Sequence, residues 1–373
     1  MLKPLQVSRL SFALALSCLV ALVIMLLVHS TFLAGPTCIS FFVFLAIGFR
    51  GNHHLKGFSY TILIFAAVTT ALFYPQLFVQ WGTFKLTALI IPFIQIIMFG
   101  MGTSMSMNDF VSVVKTPKGV VIGVLSQFII MPTLGFTLAS LSGFSAEIAA
   151  GIILIGCSPS GLASNVMSYL AKANLALSIT ITSITTLLAP FITPLLMKLL
   201  AGALIEINVL NMMWDISKMI IIPIGVGLLF NKLFAGKSRW LETAMPVVSM
   251  VGILMIIVVI TAAGRDSLLN IGPLLILIVL IHNLFGYLLG YYAARMFKMS
   301  ERDARTVAIE VGMQNGGLAS GIAKEMGKIA TVGLAAAVFG PIMNITGSTL
   351  ASYWHKKTPK GYVEEEPIVV TSH

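Results

Sequence analysis

Glu310 is the residue of this sequence around which ion chemistry can be organised. It lies near the middle of the span predicted at residues 303–326, whose other charged residues are near its ends, and no Lys or Arg lies three or four positions away on either side. A carboxylate in apolar surroundings either takes up a proton or pairs with a cation. Charged side chains at membrane depth usually mark an ion or substrate path. Glu310 is therefore our first candidate ligand for a cation such as Na⁺.

Further oxygen-bearing side chains lie on other apolar segments and directly after Glu310. They are Gln127, Ser164, Asn165, Ser178, Thr182, Gln314 and Asn315. Polar side chains of this kind commonly form hydrogen bonds between membrane helices, and that interpretation holds for each residue taken alone. Together with Glu310, the set has the composition of a cation site.

Two apolar segments are interrupted by glycine, proline and small polar residues, one within residues 156–165 and the other within residues 308–321. A shift of 156 positions superimposes the Gly-Leu-Ala-Ser sequence of residues 161–164 on residues 317–320, and Glu147 on Asp303. Interrupted helices in corresponding halves of a chain indicate a secondary transporter with internal repeats. The alternative is two unrelated faces of small residues that pack helices together.

The composition predicts an all-α polytopic membrane protein. The chain has 58% hydrophobic and 10% charged residues, with a mean hydropathy of +0.99, which excludes an ordinary soluble domain. The net charge of +10 does not imply a nucleic-acid partner, because the basic residues lie between apolar segments. We therefore expect the protein to lie in a lipid bilayer. The three cysteines lie in apolar segments and show no disulfide pattern.

The spacing of the apolar segments predicts twelve membrane spans. We expect an N-terminal two-helix hairpin within residues 1–51 and a five-helix repeat within 52–205. A second five-helix repeat within 206–357 and a cytoplasmic tail at 358–373 complete the chain. An odd number of spans per repeat inserts the second repeat upside down relative to the first, which gives a ten-helix inverted repeat.

The basic residues predict the orientation of these spans. With the N-terminus in the cytoplasm, most Lys and Arg residues fall on the cytoplasmic side, as the positive-inside rule requires. The exceptions are Lys85, Lys198, Arg265, Lys324 and Lys328 on the other side, and Lys218 within a span. We therefore expect a multi-pass protein of the cell membrane, a bacterial inner membrane, with both termini cytoplasmic.

Three motifs resemble the bile acid:sodium symporter family and occur in the same order as in that family. They are residues 99–110, residues 156–165 continued by 174–178, and the Glu-Val-Gly-Met-Gln-Asn sequence of residues 310–315. The resemblance covers about residues 55–355, which leaves out the first hairpin and the tail. It implies ten helices in a panel domain and a core domain, with the fourth and ninth helices broken and crossing each other.

The resemblance also implies the roles of individual residues. Ser164, Asn165, Ser178, Thr182 and Glu310 would form one sodium site. Gln127, Glu310, Gln314 and the backbone carbonyls of Val311 and Met313 would form a second. Asn315 would contact the substrate. Leu162 would also lie at the substrate, where family members commonly have Thr, and this departure counts against a bile acid as the substrate.

We therefore predict a sodium-coupled symporter that imports an organic anion, of bile acid-, pantoate- or keto acid-like chemistry, by alternating access. Two sodium ions serve as coupling ions, no other cofactor is expected, and no oligomeric state is predicted. A proton-coupled or facilitative transporter or exporter of the same fold is the alternative. An intramembrane enzyme is less favoured, because it would need a nucleophile with a base or paired carboxylates. The histidines lie away from the two interrupted segments in sequence, and no Gly-x-Ser-x-Gly motif is present. His282, beside Asn283, is expected to form a hydrogen bond between packed helices.

Overall fold

A computed structural model of the chain describes residues 4–28, 33–52, 55, 58–105, 117–234 and 239–359. The predicted tail at 358–373 lies outside these residues from position 360 onwards. The first helices are α1 (Pro4–Leu27), α2 (Ala34–Arg50), α3 (Ser59–Phe73), α4 (Gln76–Val79), α5 (Ile90–Ser104), α6 (Pro117–Ser142), α7 (Ala146–Cys157) and α8 (Ala163–Leu170). The remaining helices are α9 (Leu175–Ala201), α10 (Val209–Phe234), α11 (Arg239–Ala263), α12 (Arg265–Met296), α13 (Glu301–Gly312), α14 (Gly316–Glu325) and α15 (Val332–His355). A two-residue hairpin, β1 (Gln80–Trp81) and β2 (Phe84–Lys85), and a 3₁₀ turn at Leu86–Leu89 precede α5.

The helices have the length and composition of membrane spans. Among the described residues, seven helical segments are long and apolar enough to cross a bilayer, and four further apolar helices are shorter. Many large apolar side chains on α1 and α10, such as Leu16 and Leu210, are exposed on the outside of the molecule. Because a lipid chain is as apolar as these side chains, such a surface is stable only in a membrane. The predicted all-α polytopic membrane fold is confirmed.

Two of the twelve spans expected from the sequence, at about 57–79 and 271–296, differ from the observed helices for local physical reasons. The first divides into α3 and α4, because α3 ends at Phe73 and Pro75 follows two residues later. Helix α12 begins at Arg265, six residues before the second expected span. Asp266 in its first turn complements the positive end of the helix dipole, and Arg265 pairs with it at 3.1 Å.

Both interrupted segments are broken helices, and the two breaks cross. Residues 158–162 separate α7 from α8, and residues 313–315 separate α13 from α14. Ser160 and Gln314 form an isolated antiparallel bridge. The N–H of Gly161 donates to the carbonyl of Met313 at 2.8 Å, and the N–H of Asn315 donates to the carbonyl of Pro159 at 2.8 Å. The two breaks therefore pair some of each other's free backbone N–H and C=O groups. This pairing replaces hydrogen bonds to water in the interior of the protein.

The helices pack in two groups with the crossing in one of them. Helices α6, α7, α9, α12, α13 and α15 surround the crossing, whereas α5 packs against α10 and α11, and α3 packs against α11. Helices α1 and α2 form a hairpin that is attached through α2 to α3. The crossing thus lies in a buried bundle of its own, and a second layer of helices faces it.

Candidate functional site

Glu310 is fully buried on α13, two residues before the break, and its carboxylate faces α9. Ser178 and Thr182 are one helical turn apart on α9. The Ser178 hydroxyl donates to Oε1 of Glu310 at 2.5 Å, and the Thr182 hydroxyl donates to Oε2 at 2.7 Å. Asn174 begins α9 by accepting a hydrogen bond from the N–H of Leu177, and this cap places the first turn that contains Ser178.

Helix α8 brings two more predicted residues to the same place. The Asn165 Oδ1 atom lies 2.9 Å from the Ser178 hydroxyl and 3.2 Å from the Thr182 hydroxyl. The Ser164 hydroxyl lies 3.2 Å from that of Thr182. Each hydroxyl has one proton to donate, so these close oxygen atoms outnumber the protons available between them. The cluster is an oxygen-rich site around a carboxylate, which is the kind of environment that hard cations prefer.

A second polar group joins α6 to the break after α13. The fully buried Gln127 donates through Nε2 to Oε1 of Gln314 at 2.8 Å and to the carbonyl of Ser158 at 2.9 Å. Gln314 in turn donates to the carbonyl of Val311 at 2.6 Å. Gln127, Gln314 and Val311 are therefore joined at the crossing, where the Met313 carbonyl accepts from the N–H of Gly161. Val311, Met313 and Gln314 follow Glu310 within four residues of the chain.

The backbone around the crossing separates regions that favour opposite charges. Helices α7 and α13 end at the breaks with their carbonyl ends, which carry partial negative charge and favour cations. Helices α8 and α14 begin there with N–H groups, which favour anions. No Lys, Arg or His in the described part of the chain forms an ion pair with Glu310. A cation is therefore favoured behind the carbonyl ends, and an anion in front of the N–H ends.

A cavity of about 380 Å³ lies between the crossing and the wall formed by α3, α5 and α11. Both predicted substrate residues, Leu162 and Asn315, line it. No Asp, Glu, Lys, Arg or His is among its lining residues in the described part of the chain, and most of the lining is aliphatic or Met. The cavity can therefore hold a largely apolar molecule, with polar contacts at the crossing and at Tyr60, Ser249 and Asn344.

Asn315 has a local role that the sequence did not indicate. Its Oδ1 accepts a hydrogen bond from the N–H of Leu318 at 3.0 Å, which caps the first turn of α14. Its Nδ2 makes no hydrogen bond within the described chain. The Oδ1 atom of Asn315 therefore stabilises the N-terminal end of α14, and its Nδ2 group remains a hydrogen-bond donor for a molecule in the cavity.

Two hydroxyl residues near the crossing were not predicted from the sequence as site residues. Ser160 donates to the carbonyl of Glu310 at 3.0 Å, and Ser168 lies 3.1 Å from the Ser178 hydroxyl. Both lie in the interrupted segment, so a search for every hydroxyl near the first break would have found them. Conversely, Thr185 continues the polar stripe of α9 but bonds to its own helix at the carbonyl of Ile181.

Other polar residues cap the carbonyls at the ends of the first half-helices. The Thr193 hydroxyl donates to the carbonyl of Cys157 at 2.7 Å, and Asn283 donates to the carbonyl of Gly312 at 2.8 Å. The predicted helix-packing contact of His282 is present, with Nε2 3.0 Å from the carbonyl of Met131 on α6. The shift of 156 positions superimposes Gln127 on Asn283, and this signal was available in the sequence.

A buried carboxylate with hydroxyl and amide oxygens at two crossed helix breaks defines a membrane transporter of a cation and a second solute. Comparison with known proteins agrees with this class. The profile of the Sodium Bile acid symporter family matches residues 91–271. The uncharacterized sodium-dependent transporter YocS of Bacillus subtilis (strain 168) is 39% identical over 83% of this chain and 95% of its own length.

Plant relatives extend the same comparison. The probable chloroplastic sodium/metabolite cotransporter BASS6 of Arabidopsis thaliana is 32% identical over 79% of this chain and 74% of its own length. BASS1 of the same plant is 30% identical over 71% of this chain and 66% of its own length. The chain belongs to the sodium bile acid symporter family. It is a multi-pass membrane protein of a family of sodium-dependent transporters, and its relatives are named as transporters, not as enzymes.

Proposed function

We propose that this protein is a symporter that imports an organic anion together with sodium ions. The observation that supports this most directly is the cluster at Glu310, where a buried carboxylate has oxygen neighbours from α8 and α9 but no ion pair with a described basic residue. A sodium ion there would be bound by Ser164, Asn165, Ser178, Thr182 and Glu310. The sodium ion would take the place of the hydrogen bonds that Ser178 and Thr182 donate to the Glu310 carboxylate.

A second sodium ion would bind between α6 and the end of α13. Its ligands would be Gln127, Glu310, Gln314 and the carbonyls of Val311 and Met313. Each of these carbonyls already accepts one hydrogen bond, and a carbonyl oxygen has a second lone pair for a cation. The partial negative charge at the end of α13 supports the same placement. Glu310 would then be shared by both ions, which makes it the residue on which coupling depends.

The substrate anion would occupy the cavity in front of the crossing. Its negative group would face the N–H ends of α8 and α14 and the Nδ2 of Asn315, because the lining offers no basic side chain. Leu162 would contact the body of the substrate. The apolar lining supports a monovalent anion with an apolar body.

The two halves of the chain would form an inverted five-plus-five repeat after the N-terminal hairpin. Contacts occur in corresponding pairs, since α6 packs on α7 and α9 as α12 packs on α13 and α15. Glu147 on α7 accepts from Thr331 before α15 at 2.6 Å, and Asp303 on α13 accepts from Asn174 before α9 at 2.8 Å. These exchanged contacts support a two-fold relationship in the membrane plane. With both termini in the cytoplasm of a bacterium, rocking of one helix group against the other would give alternating access.

Proton coupling is the alternative within the same fold, with Glu310 taking up a proton in place of sodium. The several oxygen neighbours from α8 and α9 favour the sodium mechanism, because a proton needs a single acceptor whereas a hard cation is bound by several oxygen ligands. In both mechanisms the anion would bind at the same cavity. The two differ in the gradient that drives uptake.

Uptake by purified protein in proteoliposomes tests the proposal. A panel of radiolabelled carboxylates, including a bile acid, pantoate and pyruvate, is offered with an inward sodium gradient, an inward proton gradient or neither. We expect accumulation of at least one anion with the sodium gradient alone. Accumulation that follows the proton gradient and ignores sodium would favour the alternative.

A further inference from the structure

Asn283 on α12 contacts the end of α13 at the break. It is fully buried, and its Nδ2 donates to the carbonyl of Gly312 at 2.8 Å. The usual helical partner for this carbonyl, the N–H of residue 316, donates instead to the carbonyl of Gln314. In the described chain Asn283 thus satisfies a helix-end carbonyl that the break would otherwise leave without a hydrogen bond.

Thr346 on α15 contacts the oxygen end of this amide. Its hydroxyl lies 2.5 Å from Oδ1 of Asn283, and also 2.9 Å from the carbonyl of Ile342 and 3.4 Å from the Tyr287 hydroxyl. A carbonyl only accepts hydrogen bonds, so the amide nitrogen must face Gly312 and the amide oxygen must face Thr346. The contacts therefore run from α15 through α12 to the end of α13.

The carbonyl that Asn283 holds lies between the two proposed carbonyl ligands. Gly312 is flanked by Val311 and Met313, and a rotation of one peptide plane changes the direction of its neighbours. The internal repeat adds an independent observation, because Asn283 corresponds to Gln127 under the shift of 156 positions. Both amides donate to a carbonyl at the end of a first half-helix, Gln127 to Ser158 and Asn283 to Gly312.

We propose that Asn283 and Thr346 are positioning residues that set the sodium affinity of the second proposed site. They contact neither ion, and they act by holding the carbonyl end of α13. Groups that orient the ligands of a metal ion typically change its affinity about 10- to 100-fold when they are removed. The inference rests on the proposed function.

The test is titration of purified protein with NaCl at constant ionic strength, balanced with choline chloride, with the melting temperature as the readout. Asn283→Leu removes both hydrogen bonds at similar size, and we expect it to raise the half-saturating sodium concentration about 10-fold or more. Thr346→Val removes the hydroxyl at constant shape and should raise it less. Thr346→Ser, which keeps the hydroxyl, and Thr349→Val, which loses only a bond within α15, should match the wild type.

A merely structural role has a different signature. It would lower the melting temperature in choline chloride and leave the half-saturating sodium concentration unchanged in Asn283→Leu and Thr346→Val, which would overturn the inference. If Asn283→Leu does not fold, the comparison of Thr346→Val with Thr346→Ser decides alone. Failure of sodium to stabilise the wild type would instead contradict the proposed function. A sodium-stabilised wild type with unaffected variants contradicts only the positioning role.

Discussion

Gly161 and Met313 belong to different broken helices and are joined by a backbone hydrogen bond of 2.8 Å. This bond holds one break against the other and fixes a carbonyl that we propose as a sodium ligand. The bond requires glycine at position 161. A Cβ atom there would lie 2.7 Å from the carbonyl oxygen of Gln314, which is too close. The crossing and the second proposed sodium site therefore depend on the same close approach.

Substitution of Gly161 tests this dependence against a matched position. Gly161 and Gly317 correspond under the shift of 156 positions, but a Cβ at Gly317 would meet only Oδ1 of Asn315, at 3.5 Å. We expect Gly161→Ala to destabilise the protein by about 1–3 kcal/mol, because the backbone it contacts has little room to move. Gly317→Ala should be tolerated. Thermal unfolding of both variants without sodium provides the measurement, and equal melting temperatures would contradict the described crossing.

Asn315 should have two separable roles. Asn315→Ala loses the cap of α14, which costs about 1 kcal/mol, and also the donor for the substrate. Asn315→Ser keeps an oxygen that caps the helix and loses only the amide donor. In calorimetry, we expect both variants to bind the transported anion more weakly than the wild type. In thermal unfolding, only Asn315→Ser should be as stable as the wild type. Wild-type anion affinity in Asn315→Ser would remove Asn315 from the substrate site.

Leu162→Thr should alter which anion is transported. The side chain lines the cavity beside the crossing, so a hydroxyl there adds a hydrogen-bonding group next to the expected position of the anion. We expect a changed ranking in competition assays with a panel of carboxylates and an unchanged half-saturating sodium concentration. Val166→Thr, in the same cavity but on the body of α8, is the control. A Leu162→Thr protein with altered sodium affinity and unaltered ranking would contradict the assignment.

Uptake should respond to the membrane potential. Two sodium ions and one monovalent anion carry one net positive charge inward, which couples transport to the potential by about 2.3 kcal/mol per 100 mV. Proteoliposomes with a potassium diffusion potential, negative inside, should therefore accumulate more anion than those without one. Indifference to the potential would indicate one sodium ion per monovalent anion, or a dianionic substrate.

The sequence predicted those features that depend on residue type and spacing. The cost of a lone carboxylate in an apolar segment singled out Glu310, and helical spacing placed Ser178 and Thr182 on one face. The supporting residues were not predicted, because Thr193 and Asn283 act through backbone carbonyls and Thr346 acts through the side chain of Asn283. Such contacts depend on which helices are neighbours, and an amide or hydroxyl in a membrane helix has many partners within reach. The role of Asn315 as a helix cap likewise required the position of the break.

Two segments of identical sequence show how far sequence similarity determines a local environment. Residues 161–164 and 317–320 have the same four residue types, yet a Cβ at Gly161 would clash with backbone and one at Gly317 would make only an ordinary contact with Asn315. Ser164 lies beside Thr182, whereas Ser320 bonds to its own helix at the carbonyl of Gly316. The difference follows from the helices that surround each break. In the described chain, α8 packs against α9, whose hydroxyls face Glu310, whereas α14 packs against α15 and α10.

Sodium binding by Glu310→Gln is the most direct test of the central claim, that Glu310 binds the coupling ions. Purified wild-type protein should gain thermal stability as NaCl replaces choline chloride, because a ligand of the folded state stabilises it by mass action. Glu310→Gln keeps the shape and loses the charge, and we expect its melting temperature to be independent of sodium. Glu206→Gln, the same change at an exposed carboxylate, should behave as the wild type. A Glu310→Gln protein that sodium stabilises as strongly as the wild type would contradict the account.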